Sequence, residues 1–359
     1  MITESGLTCA ELGITSEKLT SPTDLRFYNV RTTSGFSIHG IMRSADDKCF
    51  VRFPEEVAEK VSEPVAAHNY FTAGGRIRFK TTSSYVAIKT TSGSDSISTT
   101  TPVLVSDGFD MYVKNGNKQV FSGNIMPQVH LNPDGYDGIL TLPEGEKEIT
   151  IYMPLYCRID ELYIGLDSKS TLNSHSDYKY TKPVLYYGSS ITEGCGSSRP
   201  GMAYTAIVSR KVDTDYISLG FGGSAKGEDA IIEYLATVDC SVFVLDYDHN
   251  APTPEHLAAT HEKLYLRFRE THPDTPVIFL HRPVFTSGYH PITGRRKIIY
   301  DTYYNARARG EKVFIVDDYH IDDPQLCSEW AVDGVHPNDL GITYMAKYVS
   351  DALKYAIEM

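Results

Sequence analysis

Four short stretches of this 359-residue chain carry side chains with chemistry to offer. Asp333 and His336 stand three apart in the loop Trp330-Ala331-Val332-Asp333-Gly334-Val335-His336-Pro337-Asn338. At that spacing a carboxylate can reach back to Nδ1 of the histidine, fix its tautomer and stabilise the imidazolium, which leaves Nε2 to act as a base. The same residues also suit an ordinary solvated turn. Ser190, in Gly188-Ser189-Ser190-Ile191-Thr192-Glu193-Gly194, directly follows an apolar run and precedes a helical one. A serine there needs a base to become nucleophilic, and it could equally cap the helix. Gly223, in Gly220-Phe221-Gly222-Gly223-Ser224, and Asn250, in Asp246-Tyr247-Asp248-His249-Asn250, could aim a backbone N–H and a side-chain amide at a developing oxyanion. Each alone also reads as a plain turn residue.

The elements that must position these groups come from the rhythm of apolar residues. From residue 183 onward, strands and helices alternate. Strands fit 183–188, 216–220, 240–247, 276–281 and 312–318. Helices fit the stretch after Pro200 and residues 228–238, 254–272, 295–308 and 342–356. Such alternation implies a parallel sheet covered on both faces, with reactive groups gathered at the carboxyl ends of its strands. Up to about residue 166 the pattern is different. Runs such as 36–43, 75–81, 85–90, 109–114, 147–153 and 161–166 alternate polar and apolar residues between turn clusters, the signature of an antiparallel sandwich, expected to be of jelly-roll type. Asn115-Gly116 marks a hairpin, and 54–61 is the one helical interruption expected there. The expected organisation is a β-sandwich accessory domain over 1–166, a polar linker over 167–182 and a catalytic α/β domain over 183–359.

Composition narrows the partners. Forty-six acidic against 34 basic residues give a formal charge of −12, which disfavours nucleic acid and anionic membranes and favours a neutral substrate. No apolar run approaches the ~18–20 residues of a membrane span. The opening MITESGLTCAELG lacks the basic and apolar regions of a signal peptide, and the six scattered cysteines form no CxxC pair. A cytoplasmic protein with reduced thiols is expected, Cys195 being a spectator thiol. The G-x-S-x-G elbow, the P-loop and G-x-G-x-x-G are all missing. Asn132-Pro133-Asp134-Gly135-Tyr136-Asp137-Gly138 lacks the spaced ligands of a calcium loop, so no metal is expected. His281, before Arg282-Pro283, faces the crevice or packs structurally. Trp330, the single tryptophan, either stacks on a ring of a bound ligand or packs in the core.

Taken in order on one sheet, the serine, glycine, asparagine and Asp-x-x-His-Pro blocks resemble those of the SGNH (GDSL-type) hydrolase superfamily. The match has two departures. The family's Gly-Asp-Ser reads Gly188-Ser189-Ser190 here, and its Gly-x-Asn-Asp reads Asp246-Tyr247-Asp248-His249-Asn250. The front half, with GRIRFKTTSSYVAIK and RIDELYIGLD, is similar to the N-terminal β-domain of two-domain carbohydrate acetylesterases. The resemblance implies a flavodoxin-like doubly wound sheet behind a jelly-roll sandwich. It implies ester hydrolysis by Ser190, His336 and Asp333, with an oxyanion hole from Ser190, Gly223 and Asn250 and no cofactor. The implied substrate is an acetylated mannan or xylan oligosaccharide, with Trp330 as a candidate substrate contact. The alternatives are a thioesterase or lysophospholipase using the same residues, and a non-catalytic carbohydrate-binding protein. The β-domain could bind glycan, wall the cleft or mediate contacts within a homo-oligomer.

Overall fold

The computed structural model describes residues 5–21, 24–92, 101–127, 135–283, 292–316 and 329–359. Cys327 and residues 132–134 lie outside them. Tertiary contacts divide the chain into two compact units. The first comprises Met1–Arg52, Tyr70–Asp177 and Arg199–Gly201, and the second comprises Phe53–Asn69, Tyr178–Ser198 and Met202–Met359.

The first unit is built from short strands: β1 (Leu25–Asn29), β2 (Ser37–His39), β3 (Met42–Arg43), β4 (Phe50–Val51), β5 (Arg76–Thr81), β6 (Tyr85–Ser92), β7 (Phe109–Asn115), β8 (Lys118–Ile125), β9 (Tyr136–Thr141), β10 (Lys147–Tyr152), β11 (Ile159–Asp167) and β12 (Leu172–Asn173). One antiparallel sheet runs β1-β11-β6-β9. A second runs β12-β5-β10-β7-β8, with β2 also paired to β5, and β3 and β4 form a small two-stranded sheet. Alternation along the strands sends Ile77 and Phe79 of β5 and Ile149 and Ile151 of β10 into a core shared with Val86 and Ile88 of β6 and Ile164 of β11. Each such burial contributes roughly 1.5–3 kcal/mol. The hairpin expected near Asn115 is present: Asn115 pairs with Lys118, and Gly116 takes a φ of 58°, which a glycine adopts without strain. The polar stretch expected to be a linker contains β12, which pairs with β5.

The second unit holds the parallel sheet. Its strands are β13 (Tyr180–Gly188), β14 (Thr214–Gly220), β15 (Val242–Asp246), β16 (Val277–Leu280) and β17 (Val313–Val316), in the order β14-β13-β15-β16-β17 and parallel at every pairing. This is the doubly wound 2-1-3-4-5 order. β15 and β16 are buried along their whole length because helices cover both faces, which is why they read as unbroken apolar runs.

The helices of this unit are α1 (Glu55–Val61), α2 (Glu63–Asn69), α3 (Ser190–Glu193), α4 (Tyr204–Val212), α5 (Asp229–Leu235), α6 (Pro254–Thr271), α7 (Ile292–Ala308) and α8 (Asp339–Ile357). Pro254 opens α6 beside a Thr253 cap, and the Asn338 side chain accepts the N–H groups of Leu340 and Gly341 to start α8.

The β-rich half holds more helix than expected: Glu17–Thr20 and Val103–Ser106 are short helices of the first unit, and the interruption at 54–61 is a pair. Pro64 lies in the first turn of α2, where a missing N–H costs nothing, so it starts α2 instead of ending α1. Both helices pack in the α/β core. Phe53, Ala58, Val61 and Val65 join Leu219, Phe221, Ile231 and Leu235, and the Phe53 ring meets Phe221 edge-on at 5.6 Å. No helix among the described residues is long and apolar enough to cross a membrane.

Candidate active site

The parallel sheet delivers three of the four sequence blocks to one edge, directly after β13, β14 and β15. β13 stops at Gly188, where a Cβ would lie 2.0 Å from Thr192 Oγ1 and 2.5 Å from the Asp246 carbonyl, so only glycine allows the chain to turn this tightly into α3. Ser189 caps the helix, its hydroxyl accepting the Ile191 N–H at 3.2 Å. Capping therefore falls to the first serine, and the second is turned to another partner. Ser190 Oγ lies 2.8 Å from His336 Nε2, and His336 Nδ1 lies 2.7 Å from Asp333 Oδ2.

The loop that carries His336 is braced along its length. Val332 N–H donates to the His336 carbonyl and Asn338 N–H to the Trp330 carbonyl, with Ala331 and Pro337 bridged between them. Asp333 Oδ1 accepts the backbone N–H groups of His336 at 2.8 Å and Val335 at 3.0 Å. Partial burial pushes the Asp333 carboxyl up, but those N–H groups and the imidazole outweigh it and hold the acid below the ordinary carboxylate value. Trp330 is only 5% exposed, and its ring lies 4.5 Å from that of Tyr344 in α8. It offers little free face for stacking on a sugar, and its visible role is to support the His336 loop.

Gly223 follows β14 with a φ of 69° and open space where its side chain would be. Its neighbour Gly222 lies against the Ser190 turn: a Cβ there would stand 3.6 Å from Ser190 Cβ. Asn250 joins the same turn, its Oδ1 accepting the Ala225 N–H at 3.2 Å. With the oxygen so engaged, the NH₂ group is the part of that amide left to donate.

Two acids lie beneath the site. Asp246, fully buried at the end of β15, accepts hydroxyl donors from Thr192 at 2.7 Å and Tyr204 at 3.0 Å, and its own carbonyl accepts the Ser189 N–H. Burial raises its pKa to about 7, against the lowering effect of Thr192. Asp248 is likewise pushed up by burial and lies 3.8 Å from Nε2 of His281, which is itself buried beside this acid. Cys195, five residues after Ser190, is 9% exposed. Among the described residues no group of three His, Cys, Asp or Glu side chains could hold a metal ion.

Sequence reasoning passed over two residues at this site. Glu193, with no side-chain exposure, accepts the Gly222 N–H at 2.9 Å on one oxygen and lies 3.0 Å from His68 Nδ1 through the other. Glu193 had a visible signal, sitting three residues after Ser190 in the same turn. His68 had none, because α2 looked like part of the β-rich half.

A five-stranded parallel sheet with a serine–histidine–aspartate chain at its carboxyl edge is the framework of a serine acylhydrolase. Residues 181–354 match the profile of the GDSL-like lipase/acylhydrolase family, and residues 25–172 match that of the N-terminus of SGNH-hydrolase-type esterases. The chain belongs to this group of esterases. Solved structures share its two-part architecture. A protein of Bacteroides ovatus ATCC 8483 described as a GDSL-like lipase has a TM-score of 0.82 at 24% identity, over 93% of this chain and 98% of that one. The salicylyl-acyltransferase of a tetracycline biosynthetic pathway has a TM-score of 0.71 at 17% identity, over 90% and 95%. An acetyl xylan esterase of the rumen bacterium Butyrivibrio proteoclasticus has a TM-score of 0.60 at 14% identity, over 92% and 98%. At these identities the likeness is one of fold. No curated protein matches the chain.

Proposed function

We propose that this esterase removes O-acetyl groups from oligosaccharides through an acyl-enzyme on Ser190. The observation that carries the reading is the continuous contact from Ser190 Oγ to His336 Nε2 at 2.8 Å and from His336 Nδ1 to Asp333 Oδ2 at 2.7 Å. His336 takes the Ser190 proton as the oxygen attacks the acetyl carbonyl, and Asp333 holds the ring and balances the imidazolium charge. The oxyanion is met by the backbone N–H groups of Ser190 and Gly223 and by the Asn250 amide. His336 then protonates the departing sugar oxygen, and water, activated by the same imidazole, releases acetate.

The substrate rests on two supports. The net charge of −12 suits a neutral ligand over an anionic polymer. The acetyl xylan esterase of Butyrivibrio proteoclasticus shares the two-part architecture over nearly the whole chain. Mass spectrometry of defined acetylated xylan and mannan oligosaccharides, incubated with the full chain, tests the reading. Wild-type protein is expected to remove acetyl units and Ser190→Ala to remove none. Rapid turnover of long-chain acyl esters with no acetyl release from either glycan would replace this substrate with a lipid-like one.

A further inference from the structure

Oxyanion stabilisation demands donors fixed before charge develops, yet the turn after β14 carries two adjacent glycines, Gly222 and Gly223, whose backbone is intrinsically loose. The turn is held from one side by Asn250, through the Ala225 N–H. On the other side, Glu193 Oε2 accepts the Gly222 N–H at 2.9 Å. This carboxylate is wholly buried, and its second oxygen faces His68 Nδ1 at 3.0 Å. A side chain built at Gly222 would stand 3.1 Å from Glu193 Oε2, 3.2 Å from His68 Cε1 and 3.6 Å from Ser190 Cβ, so all three border the same small space. His68 comes from α2, more than a hundred residues before the other members, and its side chain is 21% exposed.

We propose that His68 is a positioning residue for acyl transfer: its Nδ1–H orients the Glu193 carboxylate, which in turn fixes the Gly222 peptide and so the aim of the Gly223 N–H. The inference rests on the proposed chemistry at Ser190. It adds a second carboxylate–imidazole pair beside the nucleophile, one that holds a backbone donor instead of moving a proton. Without the imidazole, a buried carboxylate loses a charge-assisted donor and its grip on Gly222 slackens.

The test measures the full chain on a small acetyl ester. His68→Ala should lower kcat by about 10- to 100-fold, short of the ~10²–10³ that follows outright loss of an oxyanion donor, with KM little changed. His68→Asn, whose amide N–H can stand where Nδ1–H stood, should recover most of the rate. His68→Gln, which mimics Nε2 instead, should not. Affinity for a boronic acid that forms a tetrahedral adduct on the serine should fall in parallel with kcat/KM. Wild-type kcat in His68→Ala would overturn the proposal, as would a rate loss that Asn does not repair or the boronic acid does not report. If the alanine variant fails to fold, equal activity of the Asn and Gln variants overturns it. An active Ser190→Ala would instead sink the underlying chemistry, whereas an inactive one alongside a normal His68→Ala sinks only the positioning role.

Discussion

Asp333 grips His336 twice, through Nδ1 at 2.7 Å on one oxygen and through the backbone N–H at 2.8 Å on the other. The carboxylate therefore sets both the ring's tautomer and the position of the chain that bears it. Asp333→Asn can keep the backbone contact through its carbonyl oxygen but presents N–H to Nδ1, forcing the proton to Nε2. Turnover is expected to fall by roughly 10²–10⁴ with little change in thermal midpoint. Steady-state kinetics beside a melting curve checks this, and an Asn variant of near-normal kcat would contradict the assignment.

The adjacent serines should separate cleanly. Ser189→Ala removes a helix cap and should cost about 1 kcal/mol of stability while hydrolysis persists. Ser190→Ala should abolish hydrolysis and leave the melting temperature close to that of the parent. Labelling with a fluorophosphonate should likewise survive the first change and vanish with the second.

Asn250 accepts from Ala225 and is the proposed oxyanion donor, so alanine confounds two losses. Asn250→Asp keeps the acceptor and, on the proposed chemistry, puts negative charge where the oxyanion would form. Both variants should lose ~10²–10³ in kcat, and the aspartate should do so without the loosening of the Ala225 turn that the alanine brings. Amide exchange at Ala225, read by mass spectrometry, distinguishes them.

Asp246 predicts an unusual pH response. Its folded pKa is raised from 3.8 to about 7, so between those values the folded chain holds a proton that the unfolded chain has released. The associated stability is complete below about pH 4, declines as pH rises and is gone once pH has passed about 7. Asp246→Asn should remove that decline and gain relative to wild type above pH 7. Denaturant titrations at pH 5 and pH 8 measure the difference, and identical pH slopes in the two proteins would rule this out.

Phe53 should matter to the catalytic core despite its distance in sequence. Phe53→Ala should destabilise the second unit by ~3–5 kcal/mol, visible in chemical denaturation.

How much of this was legible beforehand depended on the range of the signal. The parallel sheet and its covering helices followed from apolar runs and local helix signals, and Asp333 and His336 from a three-residue spacing. Gly188-Ser189-Ser190 departs from the usual Gly-Asp-Ser, but the substituted residue still has a side-chain oxygen to cap α3, so the turn survives. His68 and Glu193 were not legible as a pair, because nothing local links residues 125 positions apart. Trp330 was ambiguous for the opposite reason: an indole suits a core and a sugar face equally, and only its contact with Tyr344 shows which surroundings it has.

Phe53–Asn69 belongs by its contacts to a unit whose remaining chain begins at Tyr178. A ribosome synthesising this protein must therefore emit more than a hundred further residues before α1 and α2 can find their partners. Any attempt to excise the hydrolase by cutting after the last antiparallel strand would discard part of its own interior. Liberating a stable catalytic fragment would require splicing residues 53–69 back onto it.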